Sequence, residues 1–233
     1  DTLEADPGFA WPELGAAGYA LEVVDTGDIR YKRIALPRLD VGWNWQGVLH
    51  EVLCAPAAVS TPLLPGLRIL RIHNDGARSR QAPAEKFSRD AAVLRAALEA
   101  EPDNARYRFY LAQSLRDAGD LAGAIAEYEK RAAMGGWVEE VYFSKYQVAV
   151  LKERSGAPYA DVVAAYLDAC DCRPARAEAP CELARHFRFH QRWNLARHFA
   201  QLAASLPVPN DALFIERAVH DWRAKDELSI AAF

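Results

Sequence analysis

Between Asn104 and Gly136, the residues Leu111, Ala112, Leu115, Gly119, Asp120, Ala124 and Tyr128 sit at spacings that suit one local geometry. Leu111 and Leu115 lie one helical turn apart, as do Ala124 and Tyr128, so each pair faces one side of its own helix. Gly119-Asp120 between them offers a left-handed stop for one helix and an N-cap for the next. Small residues at Ala112 and Ala124 let two antiparallel helices approach closely, while Leu111, Leu115 and Tyr128 fill the seam. A lone pair of this kind leaves apolar surface uncovered. The rest of the chain must therefore supply neighbours that stack on it.

Further pairs are present. Val141 to Pro174 carries a long first helix, a Gly156-Ala157-Pro158 turn and a second helix with Val162, Tyr166 and Ala169. Pro180 to Pro207 repeats the scheme with Leu183, Ala184, Phe187, Trp193, Ala196 and Ala203, its turn being His190-Gln191-Arg192 without glycine. The spacing resembles the tetratricopeptide repeat of roughly 34 residues, built as helix–turn–helix. Ahead of these units, Glu85 to Ala100 reads as a helix with Phe87, Val93, Leu94, Ala97 and Leu98 near one face, stopped by Glu101-Pro102-Asp103-Asn104. From Asn210 onward the sequence reads as a capping helix with Leu213, Ile215 and Trp222 inward.

The charge balance limits the partners. A net charge of −4 over 233 residues lacks the basic excess of a nucleic-acid-binding surface. No apolar run approaches the ~20 residues that span a bilayer. The four cysteines, Cys54, Cys170, Cys172 and Cys181, are scattered and read as reduced thiols of a cytoplasmic protein. The opening Asp1-Thr2-Leu3-Glu4, without an initiating Met or leading strand, reads as the continuation of something longer.

The first 82 residues have a different texture, rich in Pro, Gly, Trp and β-branched residues. Tyr19–Val24 and Ile29–Leu36 predict a hairpin about Asp25-Thr26-Gly27-Asp28. Leu67–Ile72 alternates apolar and basic residues as a half-buried strand does, and Trp11-Pro12-Glu13-Leu14 suits a short helical turn. This half reads as mixed α/β.

Three groups of residues could carry chemistry. His50-Glu51, preceded by Trp43 and Trp45, could be a base with its partner, a pair of metal ligands, or a chance dipeptide at a strand end; Cys54 breaks any H-E-x-x-H pattern. His73-Asn74-Asp75-Gly76, with Arg78 and Arg80 following, suits either a solvated turn or a corner for a metal or phosphate. On a later helix His186 and His190 are one turn apart and could share a metal. Cys170 and Cys172, by contrast, point about 200° apart. No closed four-ligand spacing emerges, so Cys181, His186, His190 and His198 read as structural or surface residues of the solenoid.

The order of these features, from Asp1-Thr2-Leu3-Glu4 through W-x-W-x-G-V-L-H-E (Trp43 to Glu51) to the H-N-D-G-x-R-S corner (His73 to Ser79), resembles a family 2 glycosyltransferase. The matching part is the C-terminal portion of a GT-A domain with a tetratricopeptide tail. The resemblance implies a partial GT-A-like α/β domain over residues 1–82 and an all-α solenoid over 83–233. It implies an inverting transfer from a nucleotide-sugar donor to a glycan, lipid-linked or protein acceptor, supported by a divalent cation, Mn or Mg. Glu51 would be the base with His50 as runner-up, His73 and Asp1 would ligate the metal, and Trp43, Trp45, Asp75 and Arg78 would contact donor or acceptor. It also implies that this stretch alone lacks the donor site and is inactive. The alternative is a non-catalytic tetratricopeptide module or scaffold that binds a protein partner through its repeats. A metal-dependent hydrolase using His50, Glu51 and His73 is a third reading.

Overall fold

A computed structural model describes residues 2–25, 29–71 and 82–232. Its contacts divide the chain into two compact units: residues 1–80 with 211–215, and residues 81–210 with 216–233.

The first unit is built on strands β1 (Thr2–Ala5), β2 (Gly18–Val24), β3 (Ile29–Pro37), β4 (Asn44–Gln46), β5 (Val52–Cys54), β6 (Leu63–Leu70) and β7 (Ile215–Glu216). Five form a sheet in the order β1-β6-β2-β3-β7; β4 and β5 form a separate two-stranded ribbon. The expected hairpin is present, with β2 antiparallel to β3 in a register that sets Val23 against Tyr31 and Leu21 against Arg33. The expected basic–apolar strand is β6, which runs parallel to β2 and antiparallel to β1. Its alternation does what period two requires: Leu67 and Ile69 are buried, while Arg68 pairs with Glu4 and Asp6. Leu21, Val23, Leu64, Leu67 and Ile69 form the core, flanked by Phe9, Tyr19 and Tyr31. Gly66 is required where it stands. Its φ is +78°, and an added Cβ would lie 3.0 Å from the Phe9 ring.

Two expectations for this half need correction. Trp11 to Leu14 is irregular rather than helical, and Trp11, 58% exposed, meets the edge of the Phe9 ring instead of a core. Among the described residues the unit holds strands and one 3₁₀ turn, Leu39–Val41, but no α-helix. It does not reproduce the helix-flanked parallel sheet that underlies a GT-A domain.

The second unit is a run of helices: α1 (Pro83–Ala100), α2 (Ala105–Ala118), α3 (Leu121–Ala133), α4 (Val138–Arg154), α5 (Tyr159–Cys172), α6 (Glu178–Phe189), α7 (Trp193–Ser205) and α8 (Ala224–Ala231), the last entered through a π-helical turn at Val219–Arg223. Each packs chiefly on its neighbours in chain order, as expected of a repeat stack. Local chemistry sets the ends. Asn104 Oδ1 accepts from the Tyr107 amide at 3.0 Å and Asp120 Oδ1 from the Gly123 amide at 2.9 Å, capping α2 and α3.

All three pairs turn in the same way. The amide of Asp120 donates to the Leu115 carbonyl, Ala157 to Lys152 and Arg192 to Phe187, each at 2.9 Å, and the residue before each donor bonds back three positions. That is the Schellman motif, which needs a left-handed residue at its centre. Gly119 (φ +91°), Gly156 (φ +72°) and Gln191 (φ +56°) fill that place. The glycine-free turn is thus the same turn made from a less suited residue.

The seams follow the spacing. Leu111, Ala112, Leu115, Ala124 and Tyr128 are buried between α2 and α3. Tyr142, Tyr146, Ala149, Val162, Tyr166, Ala169, Leu183, Phe187 and Ala196 form one cluster across α4 to α7. Some helix faces differ from expectation. In α1 the buried stripe is Ala91, Leu94 and Leu98, leaving Val93 exposed; Trp193 and Trp222 are also exposed. Leu213 and Ile215 are buried but not in a helix, because residues 211–215 belong to the sheet unit.

Two charged pairs lie inside the helical stack. Arg131 on α3 donates through Nε and Nη2 to Glu140 Oε2 on α4 at 3.1 and 2.9 Å, and through Nη1 to the Gly135 carbonyl at 2.8 Å. Arg176 meets Glu178 with two parallel bonds of 2.9 Å, its guanidinium 4.7 Å from the Tyr142 ring centre. Such fork geometry offsets the desolvation of a buried charge.

Candidate binding surface on the helical repeats

Two grooves on the helical unit are defined by the residues that line them. One, of about 500 Å³, lies among α3, α4 and α5, with Ala132, Ala133, Val148, Ala164 and Ala165 along it; among its charged residues Lys145 pairs with Asp168 and Lys152 with Glu129. The other, of about 340 Å³, is lined by Tyr146, Val150, Glu153 and Arg154 of α4, Tyr166 of α5, and Glu182 and Arg185 of α6. α4 and α6 are the first helices of successive pairs, so this groove runs along the surface that repetition leaves open.

Its polar wall is an organised network. Glu153 accepts from the Tyr166 hydroxyl at 2.9 Å, from Arg185 Nη2 at 2.5 Å and from His186 Nδ1 at 2.8 Å. Burial alone would raise the Glu153 pKa, but the hydrogen bonds from His186 and Tyr166 and the charge of Arg185 hold it below the usual carboxylate value. Arg185 also bonds Glu182 at 2.6 Å, and Glu182 in turn pairs with Arg223, which reaches Glu216 at 3.1 Å. The Tyr146 hydroxyl donates to Glu216 at 3.1 Å. The wall is thus held in one shape by partners on α4, α5, α6 and the C-terminal segment.

Of the residues singled out for chemistry, His186 joins this wall through its bond to Glu153, while Trp43, Trp45, His50 and Glu51 do not line the groove. Trp43 packs on β2, its Cζ2 3.1 Å from where a Cβ of Gly18 would stand, and Trp45 is 68% exposed on β4. His50 takes φ +51° in the turn between β4 and β5, and Glu51 follows it on the exposed side. Asp1, His73, Asp75 and Arg78 lie outside the described residues. Among the described residues no group of three His, Cys, Asp or Glu side chains is placed to hold a metal ion, and no helix is long and apolar enough to cross a membrane.

No family model matches the chain. No curated protein matches it in sequence. Solved structures do match in fold. A crystal structure of MamA protein aligns with TM-score 0.50 and 16% identity, over 63% of this chain and 72% of that one. A second MamA crystal structure aligns with TM-score 0.47 and 13% identity, over 69% and 95%. MamA 41-end from Desulfovibrio magneticus RS-1 gives TM-score 0.45 and 15% identity, over 66% and 81%. At these identities the likeness concerns the fold alone: a helical repeat of the tetratricopeptide type.

The expected family 2 glycosyltransferase, and with it the expected enzyme, is overturned. A MamA crystal structure of the tetratricopeptide type matches in fold, and no family model, transferase or other, matches. The roles given to Glu51, His50, His73, Asp1, Trp43, Trp45, Asp75 and Arg78 came from that resemblance and lose their ground with it. Of the groove residues only Tyr166 was named from sequence, and as a packing residue. The available signal was the run Tyr146, Val150, Glu153, Arg154 at helical spacing on a first helix, with Glu182 and Arg185 one repeat later.

Proposed function

We propose that the chain is a non-catalytic, protein-binding helical-repeat module, and that a segment of a partner protein lies in the groove between α4 and α6. The observation that carries this reading is the succession of helix pairs with the first helices' groove left open and rigidly walled. Tyr146 and Val150 give it apolar surface; Glu153, Arg154, Glu182 and Arg185 give it polar groups of both signs. Repeat stacks use such surfaces for recognition. Four free thiols favour a reducing compartment such as the cytoplasm. A nucleotide-sugar donor, a sugar acceptor and a divalent cation have no part in this reading.

A photo-crosslinking residue at position 154 tests it. The expected result is covalent capture of a protein partner by the otherwise intact chain, lost on Val150→Arg and kept on Leu167→Arg, a change on the exposed side of α5. Capture that is indifferent to Val150→Arg would overturn the reading.

A further inference from the structure

His186 and His190 stand one turn apart on α6, and their rings meet with centres 4.4 Å apart and planes tilted by 43°. The partner of each Nδ1 fixes the chemistry of the other nitrogen. His186 Nδ1 lies 2.8 Å from Glu153 Oε1, an oxygen of a side chain that also accepts from Tyr166 and Arg185, so this nitrogen is the donor of the pair. His190 Nδ1 lies 2.9 Å from the main-chain oxygen of His186, which can only accept, so it also donates. A neutral imidazole with its proton on Nδ1 has a free lone pair on Nε2. The neutral form of both rings compatible with these contacts is the Nδ1–H tautomer, which presents Nε2 to a metal. The partners that hold them, a carboxylate and a backbone carbonyl, are the kinds that orient metal-bound histidines.

Two further observations point the same way. His186 is only 3% exposed, and its Nε2 is buried without a hydrogen-bond partner. The separation also fits: two imidazoles sharing one ion at about 2.0–2.1 Å per nitrogen have ring centres roughly 4.5–5 Å apart. Tyr159 stacks on His186 at 5.4 Å and lies tilted against His190 at 4.7 Å, limiting the rotation of both rings.

We propose that His186 and His190 form a two-histidine site for one transition-metal dication of the zinc, nickel or copper class, bound through both Nε2 atoms, with Glu153 as the positioning residue of His186. Water completes the coordination. Hard cations such as Mg²⁺ are poor candidates, because both protein donors are imidazoles. The cysteines nearest in sequence are poor competitors: burial raises the Cys172 thiol and pushes the Cys181 thiol up to about 12. The site does not depend on the groove's having a protein occupant.

Calorimetric titration of the full chain with Ni²⁺, in a non-thiol reductant, tests the assignment. One ion per chain is expected. His190→Ala, at an exposed position where circular dichroism can verify the fold, should weaken binding at least ~10-fold, the scale on which supporting groups alone act. Glu153→Gln should weaken it about tenfold while leaving the stoichiometry unchanged. His198→Ala, on α7, should change nothing. Co²⁺ loading should give a spectrum free of thiolate charge-transfer bands. Absence of saturable binding, equal affinity in His190→Ala, or a thiolate band would each overturn the site.

Discussion

At Gln191 the backbone takes φ +56° in the turn between α6 and α7, the place that glycine fills in the other two pairs. A side chain there crowds the following carbonyl, at a cost of roughly 1–2 kcal/mol. Gln191→Gly should therefore raise stability by about 0.5–1 kcal/mol after allowing for the freer unfolded chain; a loss in urea denaturation would mean that the Gln191 side chain contributes more than its strain costs. Glu153 gives a second prediction at this scale. Its carboxyl is held below its ordinary value, so its contribution is present above the unfolded value of about 4.3 and is lost as pH falls through the folded value. Glu153→Gln should flatten the dependence of stability on pH between about 5 and 3, measured by denaturation at a series of pH values. At this scale the sequence was readable where a residue's size settles its place: Leu111, Ala112, Ala124 and Tyr128 are buried as their spacing requires. It was less readable for large aromatic residues. Trp193 and Trp222 look like core residues but are exposed, while the buried face of α7 is made of Ala196, Ala200 and Ala203.

The helix pairs and the β2–β3 hairpin were legible as elements because caps, turns and periodicity act within a few residues. The short strand at 215–216 was not, since two residues carry no period and their pairing is decided by a strand far away in the chain. Nor was the α4–α6 groove, whose lining is assembled from positions one repeat apart. The contact between α3 and α4 offers a test of how successive pairs are joined. Arg131 and Glu140 are 2% and 6% exposed at the side chain. Arg131→Met leaves a buried carboxylate without its partner and should cost about 3–5 kcal/mol, whereas Arg131→Met with Glu140→Leu should recover most of that loss. Equilibrium denaturation of the two variants would decide it. Equal losses would mean that the Arg131 bond to the Gly135 carbonyl, rather than the ion pair, joins the helices.

For the whole molecule, the chain passes through the helical unit and returns to complete the sheet. Residues 211–215 belong with the first 80, the Lys32 amide donates to the Ala212 carbonyl at 2.9 Å, and Phe214 meets the Tyr31 ring edge-on at 5.7 Å. A chain ended after Asn210 should thus keep most of its helical circular dichroism yet associate with rising concentration, because β3 would present an unpaired edge. Size-exclusion chromatography across a dilution series would show it, and a concentration-independent monomer would count against it. During synthesis the full-length chain meets the same condition in time. About 170 residues separate β3 from the segment that covers its edge, which at ~5–20 residues per second leaves that edge open for roughly 10 to 30 seconds. The helix pairs, whose partners are always the next residues to emerge, face no such wait; the nascent chain is therefore most exposed to mispairing at its oldest strands, not at its newest.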